Sequence, residues 1–152
     1  MRTILKSAAY FFIFLMIFSC SVLPKEKSSV TASEILGNPD YLAISYGGYR
    51  ENTREIVPTI DQIKEDMKIL AAMNVKILRT YNVHLDEASN LLKAITALKK
   101  EDPNFEMYVM LGAWIDCKNA WTAAAPIHHE ESERNAVEIK EAVRLTQAYP
   151  EI

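Results

Sequence analysis

The stretch Val75–Lys100 (VKILRTYNVHLDEASNLLKAITALKK) decides the fold class of this chain. Its first part, Val75–Tyr81, is rich in aliphatic residues, which is typical of a buried strand. Its second part, Leu85–Lys100, places apolar residues at helical spacing on one face: Ala88, Leu91, Leu92, Ile95 and Leu98. The stretch therefore predicts one strand followed by one amphipathic helix.

A similar strand-and-helix unit precedes this stretch. Tyr41–Tyr46 (YLAISY) predicts a buried strand, which the turn Gly47-Gly48 closes. Thr59-Ile60-Asp61-Gln62 has the pattern of a capping box and predicts the start of a helix. The helix is expected to end at Asn74, and its core face would carry Ile60, Ile63, Met67 and Leu70.

A third unit follows. Met107–Gly112 (MYVMLG) predicts a strand, and we expect a long loop from Ala113 to about Glu130. The segment Glu131–Ala148 predicts a helix whose inward face would consist of Ala136, Ile139, Val143 and Thr146.

Three strands separated by helices of this length predict an α/β fold with parallel strands and right-handed crossovers. A doubly wound sheet and a (β/α)8 barrel both fit this alternation. The first strand–helix turn, Tyr46–Arg50, lacks the glycine spacing of a dinucleotide-binding site. No lysine of the phosphate-binding loop type is present either. These absences argue against nucleotide binding.

The first residues have the pattern of an export signal. Arg2 and Lys6 precede the apolar run Ala8–Phe18, whose eleven residues are too few for a spanning helix. Ile17–Cys20 (IFSC) resembles a bacterial lipobox. That resemblance implies cleavage before Cys20 and lipidation of Cys20.

The predicted domain organisation follows from this start. Residues 1–19 would be a lipoprotein signal peptide, residues 20–39 a polar tether, and residues 40–152 the folded domain. We expect an exported protein that is held to the membrane by its N-terminal lipid. Ser21, rather than Asp, after the lipidated cysteine would by analogy suit the outer membrane of a two-membrane bacterium.

Charge and cysteine content exclude some functions. Without residues 1–19 the chain has 15 basic and 20 acidic residues, a net charge of −5, so we expect no nucleic-acid partner. With Cys20 lipidated, Cys117 cannot form an intramolecular disulfide. We expect Cys117 to be a buried structural thiol, because no histidine stands at a spacing that makes it an obvious base.

Aromatic and hydrogen-bonding residues stand where the strands end. In a barrel, the carboxyl ends of the strands carry the site. Aromatic rings stack on the C–H faces of sugars, and amide, carboxylate and guanidinium groups bond to sugar hydroxyls. The candidate sugar-binding residues are Tyr46, Arg79, Tyr81, Asn82, Trp114 and Asp116. Arg79 could equally be paired with an acid outside this chain.

Three of these strand ends resemble one enzyme family. Tyr46-Gly47, Arg79-Thr80-Tyr81 and Leu111-Gly112-Ala113-Trp114 are similar to the motifs that end the first three strands of family 17 glycoside hydrolases, in the bacterial β-1,3-glucan-active branch. The resemblance covers about residues 40–152. It implies the N-terminal part, about three βα units, of a (β/α)8 barrel, and a β-glucan as partner.

The resemblance also implies where the catalytic residues would lie. Family members use two glutamates, one ending strand four in a Gly-Asn-Glu motif and one ending strand seven. Neither motif occurs here, so we expect no catalytic residue, cofactor or metal in this chain. The 133 residues from Cys20 onward compare with about 250 in a typical barrel. We therefore expect a truncated glycoside hydrolase or transglycosylase with little activity alone.

Other residues receive simpler interpretations. Trp121 is expected to cover the third helix, and His128-His129-Glu130 to be a solvated loop or helix start. Asp86 and Glu87 are interpreted as helix-start charges. Two further functions stay open: a non-catalytic carbohydrate-binding lipoprotein, and a small flavodoxin-like module with a docking role.

Overall fold

The computed structural model describes residues 30–152. The predicted signal peptide, the lipidation site Cys20 and the first half of the predicted tether, residues 20–29, lie outside the described residues. Within the tether segment, the helix α1 (Ala32–Ile35) begins with a capping box between Thr31 and Glu34. Ile35 is buried, so this part of the segment contacts the folded domain.

The described elements follow the predicted alternation of strands and helices, with one hairpin added. In chain order after α1 they are β1 (Leu42–Ser45), α2 (Ile60–Ala72), β2 (Val75–Arg79), α3 (Asp86–Glu101), β3 (Tyr108–Met110), β4 (Cys117–Lys118), β5 (Ile127–Glu131) and α4 (Arg134–Ala148).

The three predicted strands form one parallel sheet in the order β1-β2-β3. Ile44 of β1 pairs with Leu78 of β2, and Leu78 pairs with Val109 of β3. Strands that are neighbours in the sequence are thus neighbours in space. A flavodoxin-like sheet would place β1 between β2 and β3, so the flavodoxin-like alternative is wrong.

Helices α2 and α3 pack on the sheet through the faces that the sequence predicted. Fully buried core residues from these helices and strands are Ile63, Met67, Leu78, Leu91, Ile95 and Met107. Burying one such side chain contributes about 1.5–3 kcal/mol. This core is what positions the ends of β2 and β3.

The ends of α2 form as the sequence predicts. The Thr59 side chain accepts a hydrogen bond from the Gln62 amide at 3.3 Å, and the Gln62 side chain accepts one from the Thr59 amide at 2.9 Å. Asn74 has a φ of 61°, a left-handed conformation that ends the helix.

The segment after β3 differs from the prediction. The expected loop from Ala113 to Glu130 contains the antiparallel pair β4–β5. Helix α4 begins at Arg134, three residues later than expected. His128 and His129 therefore lie in an exposed strand, and not in a loop or at a helix start.

The predicted inward face of α4 is also wrong. Ile139 and Val143 are 50% and 49% exposed. The buried residues of α4 are Asn135, Glu138 and Leu145, which also recur at helical spacing. The helix packs by this stripe because its two polar members hydrogen-bond to the loop after β3.

Strand β1 is more exposed than predicted. Leu42 and Ile44 are 50% and 43% exposed, although the apolar run suggested a strand buried on both faces. Among the described residues β1 has one neighbouring strand, β2, which leaves its other edge uncovered. Between residues 30 and 152, no helix combines the length and the apolar character needed to cross a membrane.

Candidate functional site

A cleft of about 630 Å³ opens beside the ends of β2 and β3. The carboxyl ends of parallel strands, the β4–β5 hairpin and the start of α4 meet here. The side chains that line the cleft are Arg54, Asn82, His84, Leu85, Trp114, Asp116, Trp121, Arg134, Val137 and Glu138. Three predicted site residues are among them: Asn82, Trp114 and Asp116.

Asp116 holds the two tryptophans of the cleft with a single oxygen. Its Oδ1 accepts the indole N–H of Trp114 at 2.9 Å and that of Trp121 at 3.2 Å. Its Oδ2 accepts a hydrogen bond from Arg134 at 3.2 Å. The two indole rings lie 6.1 Å apart at an angle of 68°, an edge-to-face arrangement. Asp116 therefore orients both aromatic rings.

The backbone of Asp116 is fixed by Asn135 of α4. The Asp116 amide donates to the Asn135 side-chain oxygen at 2.9 Å, and the Asn135 amide nitrogen donates to the Asp116 carbonyl at 2.9 Å. Asn135 is buried, so both its polar atoms are satisfied by this one loop residue. The start of α4 thus sets the position of Asp116 before any ligand arrives.

Glu138 is a second carboxylate beneath the cleft, and it is only 3% exposed. Its Oε1 accepts backbone hydrogen bonds from Val83 at 2.7 Å and from Trp114 at 3.0 Å. Its Oε2 lies 2.7 Å from Nδ1 of His84. A buried carboxylate is tolerated when hydrogen bonds from such donors replace those that it would make to water. Glu138 therefore ties the ends of β2 and β3 to α4.

Two guanidinium groups flank the aromatic rings. Arg54 lies over the Trp114 ring, 5.6 Å from its centroid, a cation–π geometry. Arg134 forms an ion pair with Asp116 and remains largely exposed at the cleft. These groups supply hydrogen-bond donors beside the apolar ring faces, and Asp116 balances the charge of Arg134.

Gly112 in the motif Leu111–Trp114 is required by a close approach of two strand ends. A Cβ on Gly112 would overlap the carbonyl oxygen of Thr80. The Gly112 amide also donates to the Thr80 hydroxyl at 2.9 Å. The absence of a side chain lets β3 leave the sheet tightly against β2, which aims Trp114 at the cleft.

Arg79 and Tyr81 lie away from this cleft. The Arg79 guanidinium lies over the Tyr81 ring at 5.8 Å from its centroid. Arg79 lines a second, more open concavity of about 430 Å³ on the β1–β2–β3 side of the chain, with Ser45, Ile77 and Met110. Tyr81 is 43% exposed and lines neither concavity. Of the six predicted residues, three thus line the cleft and one lines the second concavity.

Tyr46 is buried, and its hydroxyl is already engaged. It donates to the Asp66 carboxylate at 2.8 Å. Arg50 pairs with the other oxygen of Asp66 at 2.7 Å. Burial, followed by the hydrogen bond to Asp66, raises the pKa of Tyr46, whereas the hydrogen bond to Asp66 raises that of Arg50. This network joins the first strand end to α2.

Asn82 has a structural contact as well as a place in the cleft wall. It is 3% exposed, and its side-chain oxygen accepts the Leu85 amide at 3.3 Å. That contact satisfies a free amide at the start of α3.

Glu87 lies in the first turn of α3, as the sequence predicted, but its side chain is buried. It is 2% exposed, and its Oε1 has no hydrogen-bond partner. The Tyr49 hydroxyl is likewise buried without a partner. Burial raises the pKa of Glu87 to about 7. The carboxyl lines neither concavity, so it is assigned no role in ligand binding.

The β4–β5 hairpin brings a histidine to Cys117. The sulfur lies 3.7 Å from Nδ1 of His128, a neighbour that the sequence spacing did not suggest, and Cys117 is half-buried rather than buried. Antiparallel pairing, which the sequence did not reveal, causes the contact. In the described part of the chain, no three His, Cys, Asp or Glu side chains cluster as metal ligands would.

Sequence reasoning missed several residues of the cleft. Trp121 does not cover the third helix: it is 78% exposed and contacts Trp114. Glu138 had one usable signal, because a glutamate on a buried helical stripe needs partners. The positions of Arg54, His84 and Arg134 depend on loop geometry and had no sequence signal.

One comparison with known proteins gives a match, and two do not. No protein-family profile matches the chain, and no curated protein matches it. A solved structure does match: the crystal structure of an endo-laminarinase from Formosa Hel1_33_131 is 66% identical, with a TM-score of 0.79. The match covers 81% of this chain and 31% of that enzyme. The chain thus spans about a third of the length of the laminarinase that it resembles.

Proposed function

We propose that this chain forms part of a glycoside hydrolase that acts on β-1,3-glucan and that it contributes a substrate-binding wall. The observation that carries the proposal is the 66% identity to an endo-laminarinase over 81% of the chain. At that identity we infer a shared ligand class from the matched part, which is 31% of that enzyme.

The cleft supports the proposal chemically. Trp114 and Trp121 offer apolar ring faces, and Arg54 and Arg134 offer donors beside them. Most of the exposed surface area of the lining is apolar, and a few polar groups are fixed within it, as is usual for small-molecule sites. A pyranose ring needs this combination, because its C–H faces are apolar and its rim carries hydroxyls.

We further propose that the chain belongs to family 17, that its sheet is the first part of a (β/α)8 barrel, and that the catalytic glutamates lie beyond Ile152. The consecutive parallel order β1-β2-β3 supports the barrel. A retaining glycosidase needs two carboxyls about 5–5.5 Å apart. The cleft acids Asp116 and Glu138 are instead both committed to several internal hydrogen bonds.

A binding experiment tests the ligand class. Laminari-oligosaccharides and cello-oligosaccharides of equal length would be titrated against the full-length protein by calorimetry. We expect saturable binding of the β-1,3-linked series and at least about tenfold weaker binding of the β-1,4-linked series. Equal affinity for both series would reject the proposed linkage, and binding of neither would reject the proposed function.

An activity measurement separates the enzyme from a non-catalytic binding protein. With laminarin as substrate, the release of reducing ends would be followed for this chain and for a chain extended beyond Ile152. We expect release by the extended chain alone. Release by the chain ending at Ile152 would contradict the proposed position of the glutamates.

We also propose export and lipid attachment at Cys20, which place the protein in the cell envelope. The support is the pattern of residues 1–20. A Cys20→Ser variant should no longer incorporate a fatty-acid probe, whereas Cys117→Ser should incorporate it normally. Persistent labelling of the Cys20→Ser variant would reject this proposal.

A further inference from the structure

Trp121 combines exposure with an unfavourable backbone conformation. Its side chain is 78% exposed, and its φ is 60°. Bulky residues rarely adopt this left-handed conformation, and such outliers cluster at functional sites. An exposed tryptophan contributes little to a core, so packing does not explain why it is held here.

The hairpin loop holds this conformation through its own hydrogen bonds. Asn119, which also has a positive φ of 63°, donates its side-chain amide to the Ala125 carbonyl at 3.1 Å. The Thr122 amide and hydroxyl both donate to the Asn119 carbonyl, at 3.2 and 2.8 Å. The loop is therefore built to present Trp121, and its backbone around Trp121 is set by these contacts.

Trp114 and Trp121 differ in how open they are. Trp114 is half-buried and has the Arg54 guanidinium over its ring. Trp121 is open to the cleft and is oriented by the Asp116 carboxylate, which accepts its indole N–H. Trp114 therefore supports the site, while Trp121 keeps an exposed ring in a fixed orientation.

We infer that Trp121 is a stacking platform for one glucosyl ring and that Asp116 is the positioning residue that orients it. This inference rests on the proposed function. The apolar C–H face of the sugar would lie on the indole, and its rim hydroxyls would face Arg134 and His84, which line the same cleft. The platform would add affinity for the oligosaccharide without contacting the reacting bond.

The two tryptophans are the only ones in the chain, so intrinsic fluorescence reports on the cleft directly. Laminari-oligosaccharides would be titrated against the full-length protein and its Trp121→Ala and Trp121→Phe variants. We expect Trp121→Ala to weaken binding about tenfold and Trp121→Phe to keep most of the affinity. Ile69→Ala, which removes an apolar side chain of α2 that is 60% exposed, is the control and should bind normally.

The role of Asp116 has its own measurement. In a Trp114→Phe background, Trp121 is the single tryptophan and can be excited selectively over the seven tyrosines, and bound oligosaccharide should protect it from acrylamide quenching. Adding Asp116→Ala should remove that protection and change the polarisation of Trp121 emission, because the indole is no longer held. Rescue of both signals by Asp116→Asn, which keeps an acceptor oxygen, would support a positioning role.

The outcomes distinguish a failure of the Trp121 platform from a failure of the proposed function. If the wild type binds laminari-oligosaccharides and Trp121→Ala binds them equally well, the platform is rejected and the proposed function stands. If the wild type binds only β-1,4-linked oligosaccharides in a Trp121-dependent manner, the proposed linkage falls and the platform stands. Binding of no oligosaccharide by a folded wild type rejects both.

Discussion

Glu138 accepts a hydrogen bond from the backbone N–H of Trp114 at 3.0 Å, and this bond joins α4 to the loop after β3. The same oxygen accepts the amide of Val83, which follows β2. One buried carboxylate therefore sets the distance between two strand ends. The cleft is shaped by this contact, because Trp114 cannot move without releasing a buried charge.

The first prediction concerns Glu138. Glu138→Ala should lower the free energy of unfolding by about 3 kcal/mol, because two backbone amides lose their acceptor within the protein. Glu138→Gln keeps one acceptor oxygen and should cost less. Urea denaturation measures both. The control Glu141→Gln alters a partly exposed pair on the same helix and should change stability little; an equal loss in this control would contradict the interpretation.

The second prediction concerns the close approach at Gly112. Gly112→Ala should destabilise the protein by about 2 kcal/mol, because the new Cβ must push β3 away from the Thr80 carbonyl. It should also weaken oligosaccharide binding by moving Trp114. Gly47→Ala is the matched control, since its Cβ would meet nothing nearer than 3.8 Å. Thermal unfolding of the two variants tests this prediction. Equal melting temperatures for Gly112→Ala and Gly47→Ala would contradict the predicted loss of stability.

The third prediction concerns Tyr46. Tyr46→Phe removes the hydroxyl that donates to Asp66 and should cost about 2 kcal/mol of stability, the usual range for a hydrogen bond to a charged group. Because this hydroxyl is already committed, oligosaccharide affinity should not change. Calorimetric binding and urea denaturation of the same preparation test both statements. A loss of affinity in a stably folded variant would assign Tyr46 to the binding site instead.

The fourth prediction is a pH dependence that originates at Glu87. Its pKa is about 7 in the folded protein, against 4.5 ordinarily, so the folded state binds this proton more tightly than the unfolded chain does. Stability should therefore be highest below pH 4.5 as far as this group is concerned, and should fall by about 3 kcal/mol as the pH rises to 7. Burial is the main cause of the raised pKa of Tyr46 and of Tyr49, and the charge of Glu87 raises the pKa of each further.

Glu87→Gln tests this by removing the titration. The variant should match the wild type near pH 4.5 and exceed its stability near pH 8, as measured by urea denaturation across that range. Asp86→Asn, on the same helical turn but exposed, should retain the wild-type pH profile. If Glu87→Gln showed the same dependence of stability on pH as the wild type, the titration of Glu87 would not be the source of that dependence.

Local patterns predicted most of the fold. The apolar face of α3, from Ala88 to Leu98, is buried as expected, because helical period and burial of a single face are properties of a short stretch. The capping box at Thr59 formed for the same reason, since its partners are three residues apart. The requirement for glycine at position 112 has a different origin, because it comes from the close approach of Thr80, 32 residues earlier in the sequence.

The cleft depended on contacts distant in sequence. The sequence by itself determined the parallel strand-and-helix alternation and placed Trp114 and Asp116 after a strand, because periodicity and turn residues act over a few positions. Only the tertiary structure decided that Asp116 binds both indoles, that Glu138 lies beneath them and that Trp121 faces the cleft. Apart from the Trp114–Asp116 bond, which spans two residues, the hairpin and α4 bring these groups together across 5 to 55 residues, and hydrogen-bond geometry over such separations leaves no local pattern.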